Sequence, residues 1–400
     1  MSKNVGMNVI GAEYDPKGDG AWIEAEWSKF LIELNSLGDI KKVRFPFLAH
    51  RFNKQLPKIK VFLSECRKRN VKVLLDNHGY MRDENDKLLV NDGTLGRFWV
   101  NVIKSLAGFE DVISGYDIMN EPHDTNGTWF AIAQDTIDRI RAVDPDTEIH
   151  VEGDHWSGAH SWVGSTNNEF KPQGNNIVIH AHQYFDDNSS GLNYKENEKI
   201  DIALIEDRLG TWVQWLKDNN YRGAIGEFSV PQGNDEFIKA IYAYCQTVMD
   251  TPIDIYWHAM SPWGDPSDHR YLNKHSDDTR LLTLQQIAKS DEVVEPNPTP
   301  EPEPEPEEEN ETDETPIEET DDVTFETLFA EYSEKLRLEV IEECEKTHST
   351  EVEKLVNALE AKHQEQLNNY VATLAAARED LTKLQELINE TFNELSNVQT

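Results

Sequence analysis

The 400-residue sequence predicts an α/β architecture: a (β/α)8 TIM barrel over 1–290, a disordered Pro/Glu-rich acidic linker over 291–322, and a C-terminal helical coiled coil over 323–400. Three observations predict it. Short β-rich runs alternate with longer amphipathic stretches eight times in about 250 residues, which implies a parallel sheet closed into a barrel. The composition changes abruptly at residue 291. Near the C-terminus apolar residues recur at alternating steps of three and four, an a/d heptad seam.

The expected strands are 5–11, 40–47, 71–77, 112–119, 147–152, 176–183, 222–228 and 253–258. Each is a short β-branched or apolar run of the kind that fills a buried strand. The expected helices are roughly 21–37, 55–69, 93–107, 128–142, 201–219, 235–249 and 278–289, with a weaker helical segment between the fifth and sixth strands. An open doubly wound sheet fits less well, because no Gly-rich nucleotide loop follows the first strand. From Pro296 the chain runs through repeated Glu-Pro, and residues 291–322 hold 16 Asp and Glu and no Lys or Arg. Such a stretch cannot bury a core and stays extended. Beyond it, Leu367, Tyr370, Leu374, Ala377, Leu381, Leu384, Ile388, Thr391, Leu395 and Val398 form the seam. A self-associating or docking segment is expected there, with a helical hairpin folded back near His348 as the alternative.

The charge excludes some partners. The chain carries a net −37. No basic patch is available to displace counterions from phosphates, so nucleic acid is not expected. No apolar run approaches the ~20 residues of a membrane span. The three cysteines, Cys66, Cys245 and Cys344, are far apart and odd in number, which argues against a disulfide framework. The N-terminus lacks the apolar stretch of a secretory signal. The expectation is synthesis in the cytoplasm and action outside the cell after lysis or on a virion.

In a barrel, functional residues gather where strands end. Arg44, His78, Glu121, His182, Glu227 and Trp257 all lie at or just before such ends. Glu121, in Tyr116-Asp117-Ile118-Met119-Asn120-Glu121-Pro122, and Glu227, in Ala224-Ile225-Gly226-Glu227-Phe228, are two carboxylates presented from different strands. Glycosidic-bond hydrolysis needs such a pair, one to protonate the leaving oxygen and one to attack or to activate water. Arg44 is an inward cation on an apolar strand and demands a carboxylate partner, which would keep a nearby Glu ionised. His182 and Tyr184 follow the sixth strand within reach of the second carboxylate. Trp257 and Trp263, with Trp156 and Trp162 in another strand-end loop, offer flat faces for sugar rings. No metal-ligating spacing stands out among the 13 His, and no cofactor is expected.

These residues resemble glycoside hydrolase family 5, and within it the endo-β-1,4-glucanases. The resemblance covers roughly 5–290. It rests on the ordered series Gly6-Met7-Asn8-Val9-Ile10-Gly11-Ala12-Glu13, Val43-Arg44-Phe45-Pro46-Phe47, Asp76-Asn77-His78-Gly79-Tyr80, Asn120-Glu121-Pro122, Gly153-Asp154-His155-Trp156-Ser157-Gly158-Ala159 and His182-Gln183-Tyr184-Phe185-Asp186. It implies a retaining double displacement with Glu121 as acid/base and Glu227 as nucleophile. It further implies that Asn120 holds the sugar 2-hydroxyl and that Arg44, His182 and Tyr184 position Glu227. His78 would line the sugar site and Trp257 would be its stacking platform. Gly79 departs from relatives that carry Asn there, which leaves the preferred polysaccharide open. The alternatives are a bacterial exopolysaccharide depolymerase attached to a larger particle such as a phage virion, and a non-catalytic polysaccharide-binding barrel.

Overall fold

The computed structural model describes residues 4–13, 29–195, 198–261, 268–272 and 278–289. Eight parallel strands close into a barrel in chain order: β1 (Val5–Val9), β2 (Lys42–Phe47), β3 (Lys72–Asn77), β4 (Ile113–Asp117), β5 (Glu148–Glu152), β6 (Ile177–His182), β7 (Arg222–Phe228) and β8 (Asp254–Met260). β8 pairs back onto β1, so no edge is left open. Among the described residues the α-helices are α1 (Lys29–Ser36), α2 (Phe52–Lys68), α3 (Thr94–Ser105), α4 (Trp129–Arg141), α5 (Leu204–Asn219), α6 (Asp235–Thr247) and α7 (Thr279–Lys289). None of them is long and apolar enough to cross a membrane. The linker, the heptad seam, Trp263 and the first part of the expected 21–37 helix lie outside the described residues.

One expected element does not form as a helix. Between β5 and β6 there are only two short 3-10 turns, His155–Ser157 and Thr166–Glu169. His155, Trp156 and Ser157 all have φ between 53° and 58°, which no α-helix tolerates. The loop is instead tied by side chains: Asn167 accepts from the Asp154 N–H and donates to the Asp154 carbonyl.

The two faces of the strands do different work. Outward residues pack against the helices: Phe45 stacks on Phe62 of α2 at 4.3 Å, and Phe47 meets Trp99 of α3 edge-on at 6.1 Å. A fully buried side chain of this size contributes about 1.5–3 kcal/mol. Toward the strand ends the inward residues are polar. Arg44, Asp76, Asp117, Glu152 and His180 are all completely buried. Strict alternation assigns the two sets: Val43, Phe45 and Phe47 face out while Arg44 faces in.

Alternation breaks once where it matters. Ala181 pairs with Ile225, but His182 pairs with Glu227, so β7 carries an extra residue at Gly226. Such a bulge re-aims the side chains that follow it. Gly226 lies against the His180 ring, and a Cβ there would sit 1.3 Å from His180 Nε2. Gly226→Ala is therefore expected to lower stability by about 1–3 kcal/mol or more through overpacking. A thermal melt indistinguishable from that of the parent chain would refute the close approach.

Candidate active site

Arg44 donates in every direction available to a guanidinium. Nε reaches Asp117 Oδ2 at 2.8 Å, Nη1 reaches Glu227 Oε1 at 2.9 Å and Asn8 Oδ1 at 3.1 Å, and Nη2 reaches Asn120 Oδ1 at 2.8 Å. Nη2 also lies 3.1 Å from Glu152 Oε1 and 3.1 Å from Asp76 Oδ2. One cation thus faces four carboxylates from β3, β4, β5 and β7. The site also needs protons to limit its negative charge. Burial drives the Asp117 carboxyl well above its ordinary pKa despite Arg44. Burial, with Arg44 and His150 beside it, drives His180, 3.4 Å from Asp117, well below its ordinary value.

Glu227 takes the opposite state. Burial would raise its pKa, but His258, His182 and Arg44 outweigh burial and hold the carboxyl well below its ordinary value. Tyr184 donates its hydroxyl to Glu227 Oε2 at 2.7 Å. Burial and the charge of Glu227 keep that phenol neutral and hence a donor.

Glu121 follows β4 with φ +42°, an unfavourable conformation for a side chain with a Cβ. Its N–H donates to Glu152 Oε2 at 2.7 Å, so Glu152 ties the Glu121 backbone to Arg44. His182 stands between the two glutamates. Its Nδ1 is 2.8 Å from Glu121 Oε1 and 3.8 Å from Glu227 Oε2, and its Nε2 is 3.3 Å from Glu152 Oε1. Burial opposes its charge, but Glu152 and Glu227 win and raise its pKa well above the ordinary value. Carboxylate oxygens of Glu121 and Glu227 and the His182 nitrogen all lie within 4.8 Å of one another. Asn120 Nδ2 is buried with no partner among the described residues, a free donor beside Glu121.

A cavity of about 1170 Å³ opens beside this cluster, over the ends of β1, β2, β3 and β8. Glu13, His78, Tyr80, Phe98, His258 and Arg270 are among its walls. His78 is held by Asp76 Oδ2 at 2.7 Å and by the Tyr80 hydroxyl at 3.0 Å. Beyond Glu121, after β4 and β5, Trp156 is 51% exposed and stacks on His123 with centroids 4.6 Å apart and planes 8° apart.

Among solved structures, Pseudomonas stutzeri endoglucanase Cel5A is similar with a TM-score of 0.61 and 27% identity, covering 74% of this chain and 97% of that one. The family model for cellulase (glycosyl hydrolase family 5) matches residues 27–262. The chain belongs to glycosyl hydrolase family 5. Family relatives include Endoglucanase 1 of Robillarda sp. (strain Y-20), 31% identical over 177 residues, 39% of this chain and 44% of that protein. Endo-beta-1,4-glucanase B of Emericella nidulans is 29% identical over 189 residues, 45% of this chain and 56% of that protein. The chain spans about half the length of the curated relatives it matches.

Within this family 5 barrel, Arg44, Asn120, Glu121, His182, Tyr184 and Glu227 form one cluster, with His78 at its edge. Trp257 does not join it. Its ring is completely buried, donates from Nε1 to the Arg270 carbonyl at 3.1 Å, and meets Phe228 edge-on at 5.3 Å. The Arg280 guanidinium of α7 lies 5.6 Å from its centroid. The expectation of a sugar platform at Trp257 is therefore corrected. Trp257 lies on the helix side of β8, and its neighbour His258 turns inward to Glu227. Trp162 is likewise core, packed on Trp215 at 5.4 Å. Sequence reasoning gave no role to Asp76, Asp117 and Glu152. The signal was an acidic residue at or one before the end of three successive strands.

Two side-chain groups are close enough to hold a cation, Glu152–His180–His182 and Glu121–His182–Glu227. In both, a carboxylate is already paired with Arg44 and His182 competes as a cation, so the donor set does not fit a resident metal. Arg44→Met would leave the buried acids around it without their guanidinium, at an expected cost of about 3–5 kcal/mol near neutral pH. Urea unfolding of Arg44→Met beside the parent chain checks this, and equal midpoints would contradict the electrostatic account.

Proposed function

We propose that the barrel hydrolyses β-1,4-glucosidic bonds within cellulose or a related β-glucan, with retention of anomeric configuration. The observation that carries the retaining assignment is the approach of Glu121 and Glu227, whose oxygens lie within 4.8 Å. Retaining enzymes hold the two carboxyl groups about 5–5.5 Å apart, whereas inverting ones leave about 6.5–9.5 Å for a water. The different environments divide the roles. Glu227, ionised and held by Arg44 and Tyr184, is the nucleophile. Glu121, bound to His182 and less enclosed, exchanges the proton.

Chemistry runs in two displacements. Glu227 bonds to the anomeric carbon as the glycosidic C–O bond breaks, and Glu121 gives its proton to the leaving oxygen. Water then adds to the anomeric carbon, its proton passes to Glu121, and Glu227 departs as a carboxylate. Asn120 Nδ2, unpartnered beside the pair, is available to a sugar hydroxyl. The cavity over the ends of β1–β3 and β8 has Tyr80 in its wall, 6.0 Å from His123 of the exposed Trp156–His123 stack, and this extended surface suits an endo-acting cleft. The similarity to proteins named endoglucanase and endo-beta-1,4-glucanase supports the substrate class.

Glu121→Gln and Glu227→Gln are each expected to lower turnover on a soluble β-glucan by roughly 10²-fold or more. NMR of the first products from a cello-oligosaccharide should show the β-anomer, and initial α-anomer would overturn retention. A polysaccharide panel, read by released reducing ends, separates a cellulose-type glucan from bacterial exopolysaccharide. Release from none would favour the binding-barrel alternative.

The heptad spacing from Leu367 to Val398 supports self-association of the full chain. Analytical ultracentrifugation should find an oligomer, and a monomer at micromolar concentration would remove this assignment.

A further inference from the structure

We infer that His258 is a positioning residue for the nucleophile, acting on Glu227 through its positive charge rather than through a hydrogen bond. The inference rests on the assignment of Glu227 as nucleophile and adds a residue that the family resemblance did not supply.

The geometry separates the two oxygens of Glu227. Arg44 of β2 holds Oε1 at 2.9 Å. Oε2 receives the Tyr184 hydroxyl at 2.7 Å and faces His258 Nδ1 of β8 at 3.3 Å and His182 Nδ1 of β6 at 3.8 Å. His258 Nδ1 is buried and faces Oε2 at 3.3 Å outside good hydrogen-bond geometry. The other charged neighbours are Glu121 and Glu152, which face His182, and His78 of β3. On its far side His258 acts on Asp268, which is paired with Arg270 at 2.6 Å, and its ring lies 6.4 Å from Tyr184 and 6.5 Å from Tyr271. It also lines the cavity. With Arg44 and His182, His258 is one of the three basic side chains that hold the Glu227 carboxyl well below its ordinary value.

The chemistry gives that charge a use. Glu227 loses its negative charge when its oxygen bonds to the anomeric carbon and regains it when water releases the sugar. Positive charge on His258 beside Oε2 favours the carboxylate at both ends of the cycle. It keeps the free enzyme competent at acid pH and assists departure of Glu227 in the second displacement.

The test is the pH profile of kcat/KM for full-length His258→Ala and His258→Gln on a soluble cello-oligosaccharide, with side-chain ¹³C titration of Glu227 as a readout independent of turnover. Removing an opposite charge at this distance should move the acidic limb, and the Glu227 titration, upward by about one pH unit in both variants. A role confined to packing would lower activity or melting temperature without moving the limb, and an unmoved limb and titration in both variants overturn the inference. A shift in His258→Ala that His258→Gln abolishes also overturns it, because Gln restores a hydrogen bond but no charge. Glu227→Gln serves as the control. If it keeps its turnover, the nucleophile assignment fails; if it is inactive while the His258 variants titrate like the parent, only the present inference fails.

Discussion

Arg44 is a permanent cation sealed inside a barrel whose inner wall is largely acidic where the strands end. Asp76, Asp117, Glu152 and Glu227 converge on it from four different strands, and Asn8 and Asn120 fill its remaining donor directions. A unit charge pair near 3 Å is worth about 5 kcal/mol at an effective dielectric of 20, comparable to the several kcal/mol that each buried ion loses in desolvation. The arrangement therefore holds only as a set. Because each acid belongs to a different strand, the guanidinium also ties strand register to site geometry. Glu152 passes that constraint onward by holding the Glu121 N–H.

Around this cation, chemically similar groups take different charge states. Asp117 is driven toward the neutral acid by burial, whereas Glu227, equally enclosed, is driven toward the carboxylate by Arg44 and the basic rings of His182 and His258. His180 is driven neutral by burial beside Arg44, while His182, two residues on along the same strand, is held protonated by Glu152 and Glu227. The contrast reflects which neighbours each ring meets. In the proposed mechanism this separation is what divides the tasks of the two glutamates.

The barrel frame, the two glutamates and Arg44 were legible from order and pattern. Eight short apolar runs could close in parallel only with helices between them, and a charged residue within such a run had to face inward and find partners. The convergence of Asp76, Asp117 and Glu152 was less legible. A closing acid on a strand marks a wall position, but which acids meet depends on barrel tilt and register. β8 shows the limit most clearly. Trp257 and His258 are adjacent, both suit a sugar site by residue type, and the parity of one strand decides that the Trp packs against Phe228 and Arg280 while the His faces Glu227. The loop after β5 shows it again: left-handed backbone at His155, Trp156 and Ser157 replaces the expected helical segment and leaves Trp156 exposed beside His123.

The sequence by itself determined the fold class, the family and the two carboxylates, because these rest on hydrophobic periodicity and on residue types at strand ends. Only the tertiary structure decided how the charges are shared, which ring enters the site, and that a bulge at Gly226 turns Glu227 toward Arg44. Periodicity is a property of one segment. Proton sharing and side-chain direction depend on distances between strands far apart in the chain, and those distances exist only once the barrel has closed.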